Sequence, residues 1–363
     1  MRPDSPFPSL QRYLDSRTAC GNPPGAAWCV GDTGGSWSRG ISGFASVEPE
    51  RQALCFATVF DLASLTKPLV TALLGVILEQ EGLLDLDRPL SGFIPGSHRS
   101  PYGDATLLDL GVHRSGLPAW EPLFAMEEAG SRFPDRILAL PPAVAPGETV
   151  YSDLGYILLG HVLESVGGGS LDRLFADRIS GPAGLGTLGF PGTAGIGDRA
   201  AATERGNLFE QELAGERAAG YRFRQRMIRG QVHDGNAWAM GGVAGHAGLF
   251  GALDDVAALV REILTPGGLG IGSRGRRRLL EPVQDGGRSF GFQPAAHSPA
   301  VSGILPDRAP GHTGFTGTSL WLDPAAGRYW VLLTNRVHPV AEPSGFQAVR
   351  REFHRLSADP IRE

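Results

Sequence analysis

Lysine occurs once in this chain of 363 residues, at Lys67, three positions after Ser64; all other basic residues, among the 33 of the chain, are arginines. Arginine keeps its proton in proteins, whereas a buried or cation-flanked lysine can release one and act as a base. A serine hydroxyl is a weak nucleophile until its proton is taken, so Ser64-Leu65-Thr66-Lys67 holds the residue types of a nucleophile and its activator. A serine three residues from a lysine also arises by chance of composition, and the pair alone decides nothing. Two other constellations lie far downstream. Tyr151-Ser152-Asp153 occupies a loop before the apolar stretch 154–166, where Tyr151 could equally pack and Ser152 or Asp153 cap a helix. Gly311-His312-Thr313-Gly314-Phe315-Thr316-Gly317 has three glycines that let a backbone come close to a ligand, or simply form a turn.

These residues need elements to hold them. The run 69–78 is apolar on nearly every side apart from Thr71 and Gly75, which reads as a helix buried all round. Asp61 or Ser64 can cap it, Pro68 is tolerable in its first turn, and Gly82 can end it. Ser64 and Lys67 then share one face of the first turn, at a helix N-terminus inside the molecule. The field of that terminus and desolvation are expected to lower the Lys67 pKa towards a neutral amine. Strand-like runs at 26–30 and 36–45 flank the turn Asp32-Thr33-Gly34-Gly35, and runs at 318–322 and 329–334 flank a turn from Asp323 to Gly327. The late glycine motif opens the first of these last two runs, expected to lie at a sheet edge. Phe346, Val349, Phe353 and Leu356 mark one face of a closing helix. The simplest architecture is a sheet assembled from both chain ends, with a helix-rich insertion between them. The stretch 180–229 has no readable period and no functional reading.

Composition excludes several classes. With 42% hydrophobic residues, 20% charged and a net charge of -5, the chain has the balance of a soluble globular protein. Its acidic balance leaves no footprint for nucleic acid or an anionic membrane, and the short basic run Arg274 to Arg278 reads as a solvated turn or helix start. Cys20, Cys29 and Cys55 lack CxxC spacing and are expected to be ordinary reduced thiols. An acid and two prolines among the first six residues do not suit a secretory signal, and no apolar run reaches membrane-spanning length, so a cytoplasmic location is expected. His113, His233, His246 and His312 could converge with Asp234, but no pair has HxxxH or HxH spacing, and no metal site is expected. His246 is expected in a loop bordering the cleft. Neither a nucleotide-binding Gly-Lys-Ser/Thr nor a Gly-x-Ser-x-Gly elbow occurs.

Taken in order, Ser64-x-x-Lys67, Tyr151-Ser152-Asp153 and His312-Thr313-Gly314 resemble the three sequence elements of the serine β-lactamase and penicillin-binding-protein superfamily, and of its class C-like branch most closely. The segments His113 to Pro118, Gly242 to Phe250 and Leu333 to Arg336 are also similar to that family, so the resemblance covers most of the chain. It implies an α+β fold, an α/β sandwich in which an antiparallel sheet built from both termini is flanked by helices. Residues 1–84 and 235–363 would form the sheet domain carrying the nucleophile helix and third motif, and 85–234 a mostly helical domain carrying Tyr151. It further implies an acyl-enzyme at Ser64, with Lys67 as activator and Tyr151 shuttling a proton. The amides of Ser64 and Phe315 would form the oxyanion hole, and Asp153, His312, Thr313, Gly314 and Thr316 would hold the substrate. No cofactor is implied.

Two positions depart from the penicillin-recognising pattern: the third-motif lysine is His312, and the second-motif asparagine is Asp153. A histidine is mostly neutral near neutral pH and an aspartate adds negative charge, so both changes disfavour an anionic substrate. The expected function is an esterase-like serine hydrolase acting on a small ester or amide. The alternatives are a D-alanyl-D-alanine carboxypeptidase or class C-like β-lactamase, and a non-enzymatic acylation sensor or binding scaffold.

Overall fold

Residues 7–126, 132–192, 196–284, 287–341 and 345–358 are described by a computed structural model of the chain. Eleven strands occur among them: β1 (Gly25–Asp32), β2 (Trp37–Ser46), β3 (Gln52–Ala53), β4 (Val59–Asp61), β5 (Ala202–Arg205), β6 (Met227–Arg229), β7 (Phe250–Ala252), β8 (Gln293–Pro294), β9 (Pro310–Thr313), β10 (Ser319–Asp323) and β11 (Arg328–Thr334). Seven form one antiparallel sheet in the order β3-β2-β1-β11-β10-β9-β8, with the two chain ends joined where β1 pairs with β11. The first hairpin forms as its turn residues dictate: Asp32 Oδ1 accepts from the Ser36 amide at 3.0 Å, and Gly35 takes φ +91°. One expectation fails here. The strand β10 is interior, because the residues before it form their own strand β9, with Leu320 opposite His312, and β8 lies outside both.

Alternation along the strands assigns the two faces. Trp28, Trp321 and Trp330 point to one side, where Leu10 and Leu14 of the helix Pro8–Ala19 and Phe353 of the closing helix Phe346–Ser357 cover them. Ala27, Cys29, Leu320, Leu322 and Val331 point to the other, into a large apolar cluster. That cluster runs without a break through the helices Leu73–Gln80, Asp153–Gly167 and Leu253–Leu264. Burying each such side chain contributes roughly 1.5–3 kcal/mol before conformational entropy is charged against it. The middle stretch that lacked a period contains the small hairpin β5–β6 and the helix Leu208–Ala214. No helix among the described residues is long and apolar enough to cross a membrane.

The buried segment read as one helix is a composite. A 3₁₀ turn at Ala63–Leu65 passes into a π-helical stretch at Lys67–Ala72 and then into the α-helix Leu73–Gln80, which ends near Gly82 at φ +75°. Pro68 has no amide to donate, so it cannot enter a regular i→i−4 ladder at this point. Wide π turns of this kind are frequent at functional sites. Pairing of β4 with β7, and a bond from the Leu62 amide to Leu249 O at 2.9 Å, fix where the segment begins.

Candidate active site

Asp61, not Ser64, satisfies the start of this segment. Its Oδ1 accepts from the Ala63 amide and its Oδ2 from the His233 amide, both at 2.8 Å. Ser64 is thereby released from capping, and its Oγ accepts a hydrogen bond from Lys67 Nζ at 2.9 Å. Ala63, just before the nucleophile candidate, sits at φ +47°, a left-handed backbone on a residue with a Cβ. Such strain persists only where surroundings over-determine it. Here Thr66 Oγ1 donates to Ala63 O at 2.7 Å, Thr316 Oγ1 to Asp61 O at 2.7 Å and Thr318 Oγ1 to Leu62 O at 3.1 Å. Thr316, expected to hold substrate, thus ties the third motif to the nucleophile segment. Gly314 is needed at the crossing, because a Cβ there would meet Leu62 O at 2.7 Å and also Thr318 Oγ1. From the closing helix, Arg350 Nη2 donates to Gly314 O at 2.6 Å and Thr318 O at 3.1 Å, which anchors the loop from behind.

Lys67 is fully buried, and besides the Tyr151 side chain its neighbours include three acceptors: Ser64 Oγ, His246 O at 3.2 Å, and Asp153 Oδ1 at 2.7 Å. The contact with Asp153 is an ion pair rather than an aligned hydrogen bond. Three acceptors around one nitrogen suit an ammonium. Burial is the largest influence and pulls the pKa down, but the charges of Asp153 and then Tyr151 outweigh it and hold Lys67 above its ordinary 10.5. The expected neutral amine is therefore corrected: desolvation acts as anticipated, and a carboxylate 86 positions away in sequence reverses it. Asp153, read as a substrate contact, both pairs with Lys67 and lines the cavity above it.

Tyr151 is fixed through its neighbour. Ser152 caps the helix Asp153–Gly167 by accepting from the Gly155 amide at 3.2 Å, donates to Pro118 O at 2.6 Å, and gives its own amide to His113 Nδ1 at 3.0 Å. The phenol ring then lies 4.5 Å from the His113 ring and 5.9 Å from that of His312, with Lys67 Nζ 5.0 Å and the Arg288 guanidinium 5.6 Å from its centroid. His312 donates from Nδ1 to Thr313 O at 2.9 Å. Burial first, then the charges of Lys67 and Arg288, push the His312 pKa well below 6.5, so it is a neutral ring. Burial, Arg288 and Lys67 do the same to His113. Arg288, mostly buried beside Tyr151, had no signal in the sequence, because nothing local marks one arginine out of so many.

Above Ser64 opens a cavity of about 250 Å³, lined by Ser64, Tyr151 and Asp153 together with Trp120, Phe209, Phe315, Glu210 and Asp234. The amides of Ser64 and Phe315 meet no acceptor outside their own local turn among the described residues. The helix Leu208–Ala214 from the unread middle thus supplies part of the wall. The histidines do not gather into one ligand set. His246 Nε2 meets Asp234 Oδ1 at 2.9 Å beneath the cavity, His233 Nε2 meets Glu204 Oε2 at 2.9 Å, and His113 and His312 flank Tyr151.

A serine bonded to a buried lysine one turn on, placed against the inner strands of an antiparallel sheet covered by helices, defines a serine hydrolase. The chain belongs to the Beta-lactamase family, whose model matches residues 10–352. It is 33% identical over 316 residues to a protein of Escherichia coli K12 named as a D-alanyl-D-alanine carboxypeptidase, with 79% of this chain and 71% of that protein covered. A Salmonella newport protein of the same name is 33% identical over 318 residues, at the same coverage. Among solved structures, a class C β-lactamase from Rhodobacter sphaeroides superposes with TM-score 0.71 at 20% identity, covering 96% of this chain and 98% of that one. The simvastatin synthase LovD from Aspergillus terreus superposes with TM-score 0.75 at 18% identity, covering 99% of both. These two show the shared fold.

Proposed function

We propose that the protein hydrolyses a small ester or amide through an acyl-enzyme at Ser64. The observation that carries this is Lys67 Nζ at 2.9 Å from Ser64 Oγ, on the floor of a cavity where the Ser64 and Phe315 amides meet no acceptor outside their local turn among the described residues. Ser64 Oγ attacks the carbonyl carbon while Tyr151 takes its proton and passes its own to the leaving atom. Lys67, as an ammonium, stabilises negative charge building on Oγ, and the two amides receive the oxyanion, each worth about 3 kcal/mol of barrier. Water then attacks the acyl carbon, and its proton returns to Ser64 by the same phenol.

A second reading, D-alanyl-D-alanine carboxypeptidase or β-lactamase action, is favoured by the names of the curated relatives and by Arg288, a cation beside His312 and Tyr151 that could attract a carboxylate. Both are tested by incubating the protein with p-nitrophenyl butyrate, a D-alanyl dipeptide and nitrocefin while following rate and intact mass. Ester turnover that disappears in Ser64→Ala supports the first reading, and faster turnover of the dipeptide or nitrocefin supports the second. No adduct at Ser64 from any of these or from a fluorophosphonate rejects both.

A further inference from the structure

We infer that the cavity beside Ser64 is built for a substrate bearing a positively charged nitrogen, received by Glu210 and Asp234. The inference rests on the acyl-enzyme reading above. Three carboxyl side chains, Asp153, Glu210 and Asp234, line the cavity, and among the described residues no lysine or arginine side chain does, the one basic side chain of the lining being His233. Asp153 opposes Lys67. Asp234 spends Oδ1 on His246 Nε2 at 2.9 Å and on the Ala237 amide at 2.7 Å, and Oδ2 has no partner among the described residues. Glu210 differs from both. Its oxygens accept from the Gly235 amide at 2.9 and 3.0 Å and from Asn207 Nδ2 at 3.0 Å, and no cation touches it among the described residues.

Arg224 reaches Glu210 only at one remove, through Nε on Asn207 Oδ1 at 2.8 Å. The charged and titratable groups around Glu210 are Asp234 and His233 on the loop before Gly235, with Arg224 and Tyr221 on the segment behind. Burial, and then the charge of Asp234, push Glu210 up to about 8. A wall carboxyl only 6% exposed, on which His233 and Arg224 act without an ion pair among the described residues, keeps room for an arriving cation to balance it. Apart from Ser64, Tyr151 and His233 the rest of the lining is apolar: Phe209 and Phe315 lie tilted with centroids 4.7 Å apart, and Trp120 and Leu213 are among the other walls, surfaces that suit the alkyl groups of an onium ion.

The test compares isosteric pairs that differ in one charge. With the charge in the acyl group, p-nitrophenyl trimethylammoniobutyrate is set against its tert-butyl analogue. With the charge in the leaving group, choline butyrate is set against its tert-butyl analogue. In one pair kcat/KM should favour the cation about tenfold or more, mainly through KM. That preference should grow as pH rises through about 8, where Glu210 ionises while the quaternary nitrogen cannot titrate. In Glu210→Gln the ratio should fall towards one and lose its pH dependence, a readout that a merely structural role would not move. A ratio at or below one in both pairs, with the neutral esters hydrolysed, overturns the inference and leaves the acyl-enzyme reading standing. If no ester is hydrolysed, that reading fails instead, and calorimetric titration with choline decides the pocket: binding weakened by Glu210→Gln supports it, and absence of binding to the unaltered protein overturns it.

Discussion

Replacing Asp153 with asparagine isolates the charge that the structure sets against Lys67. Unit charges 2.7 Å apart attract by roughly 6 kcal/mol at an effective dielectric constant of about 20. A fifth of the Asp153 side chain is exposed, and an asparagine oxygen would keep a dipolar contact. About half of the attraction, ~3 kcal/mol, is then lost, which lowers the Lys67 pKa. On the proposed mechanism, with Lys67 as an ammonium, the kcat/KM profile of the free enzyme should fall on its basic side as Lys67 loses its proton, and Asp153→Asn should move that limb to lower pH. The assay is ester hydrolysis between acid and strongly alkaline buffers, with melting temperature recorded at each pH. Stability has a definite sign. A lysine whose pKa is raised by folding stabilises the fold below its unfolded value near 10.5, and the gain disappears as pH climbs through the raised value. The variant should therefore be less stable at neutral pH by up to ~3 kcal/mol and converge with the parent only above that raised value. A profile that stays in place, or an acidic limb that moves in its stead, refutes the ammonium assignment.

Other substitutions probe the supports. Gly314→Ala should force the third motif away from the nucleophile segment, because its Cβ meets Leu62 O at 2.7 Å; kcat is expected to drop by about tenfold or more, and an unchanged kcat would show that the loop can give way. Thr316→Val removes the hydroxyl bonded to Asp61 O and should cost about 1–2 kcal/mol in denaturant unfolding, with KM for a small ester nearly unchanged if Thr316 is a tie rather than a substrate contact. Asp61→Ala leaves the Ala63 and His233 amides unsatisfied inside the protein, and a loss of about 2–4 kcal/mol is expected by the same unfolding measurement. His312→Lys would bury a cation between Lys67 and Arg288, so the melting temperature should fall while KM for a carboxylate-bearing substrate improves; equal KM values would remove His312 from the specificity argument.

Much of this molecule could be read from local chemistry. Strand-like runs and the turn at Asp32 to Gly35 place β1 and β2, the face of Phe346, Val349 and Phe353 gives the closing helix, and the order of three short motifs identifies the β-lactamase family and the pair Ser64 and Lys67. Those signals survive in sequence because each depends on residues a few positions apart. The protonation state of Lys67 does not, since it depends on a carboxylate delivered by another helix. Nor does the neutrality of His312, set by burial beside Lys67 and Arg288, or the cavity wall of Trp120, Phe209, Glu210 and Asp234, gathered from separated segments. Periodicity and turn chemistry specify elements at short range, whereas a charge acquires its pKa and its role only from groups that tertiary packing brings within a few ångströms. Sequence thus determined which atoms could react, and the fold decided which charges and which walls surround them.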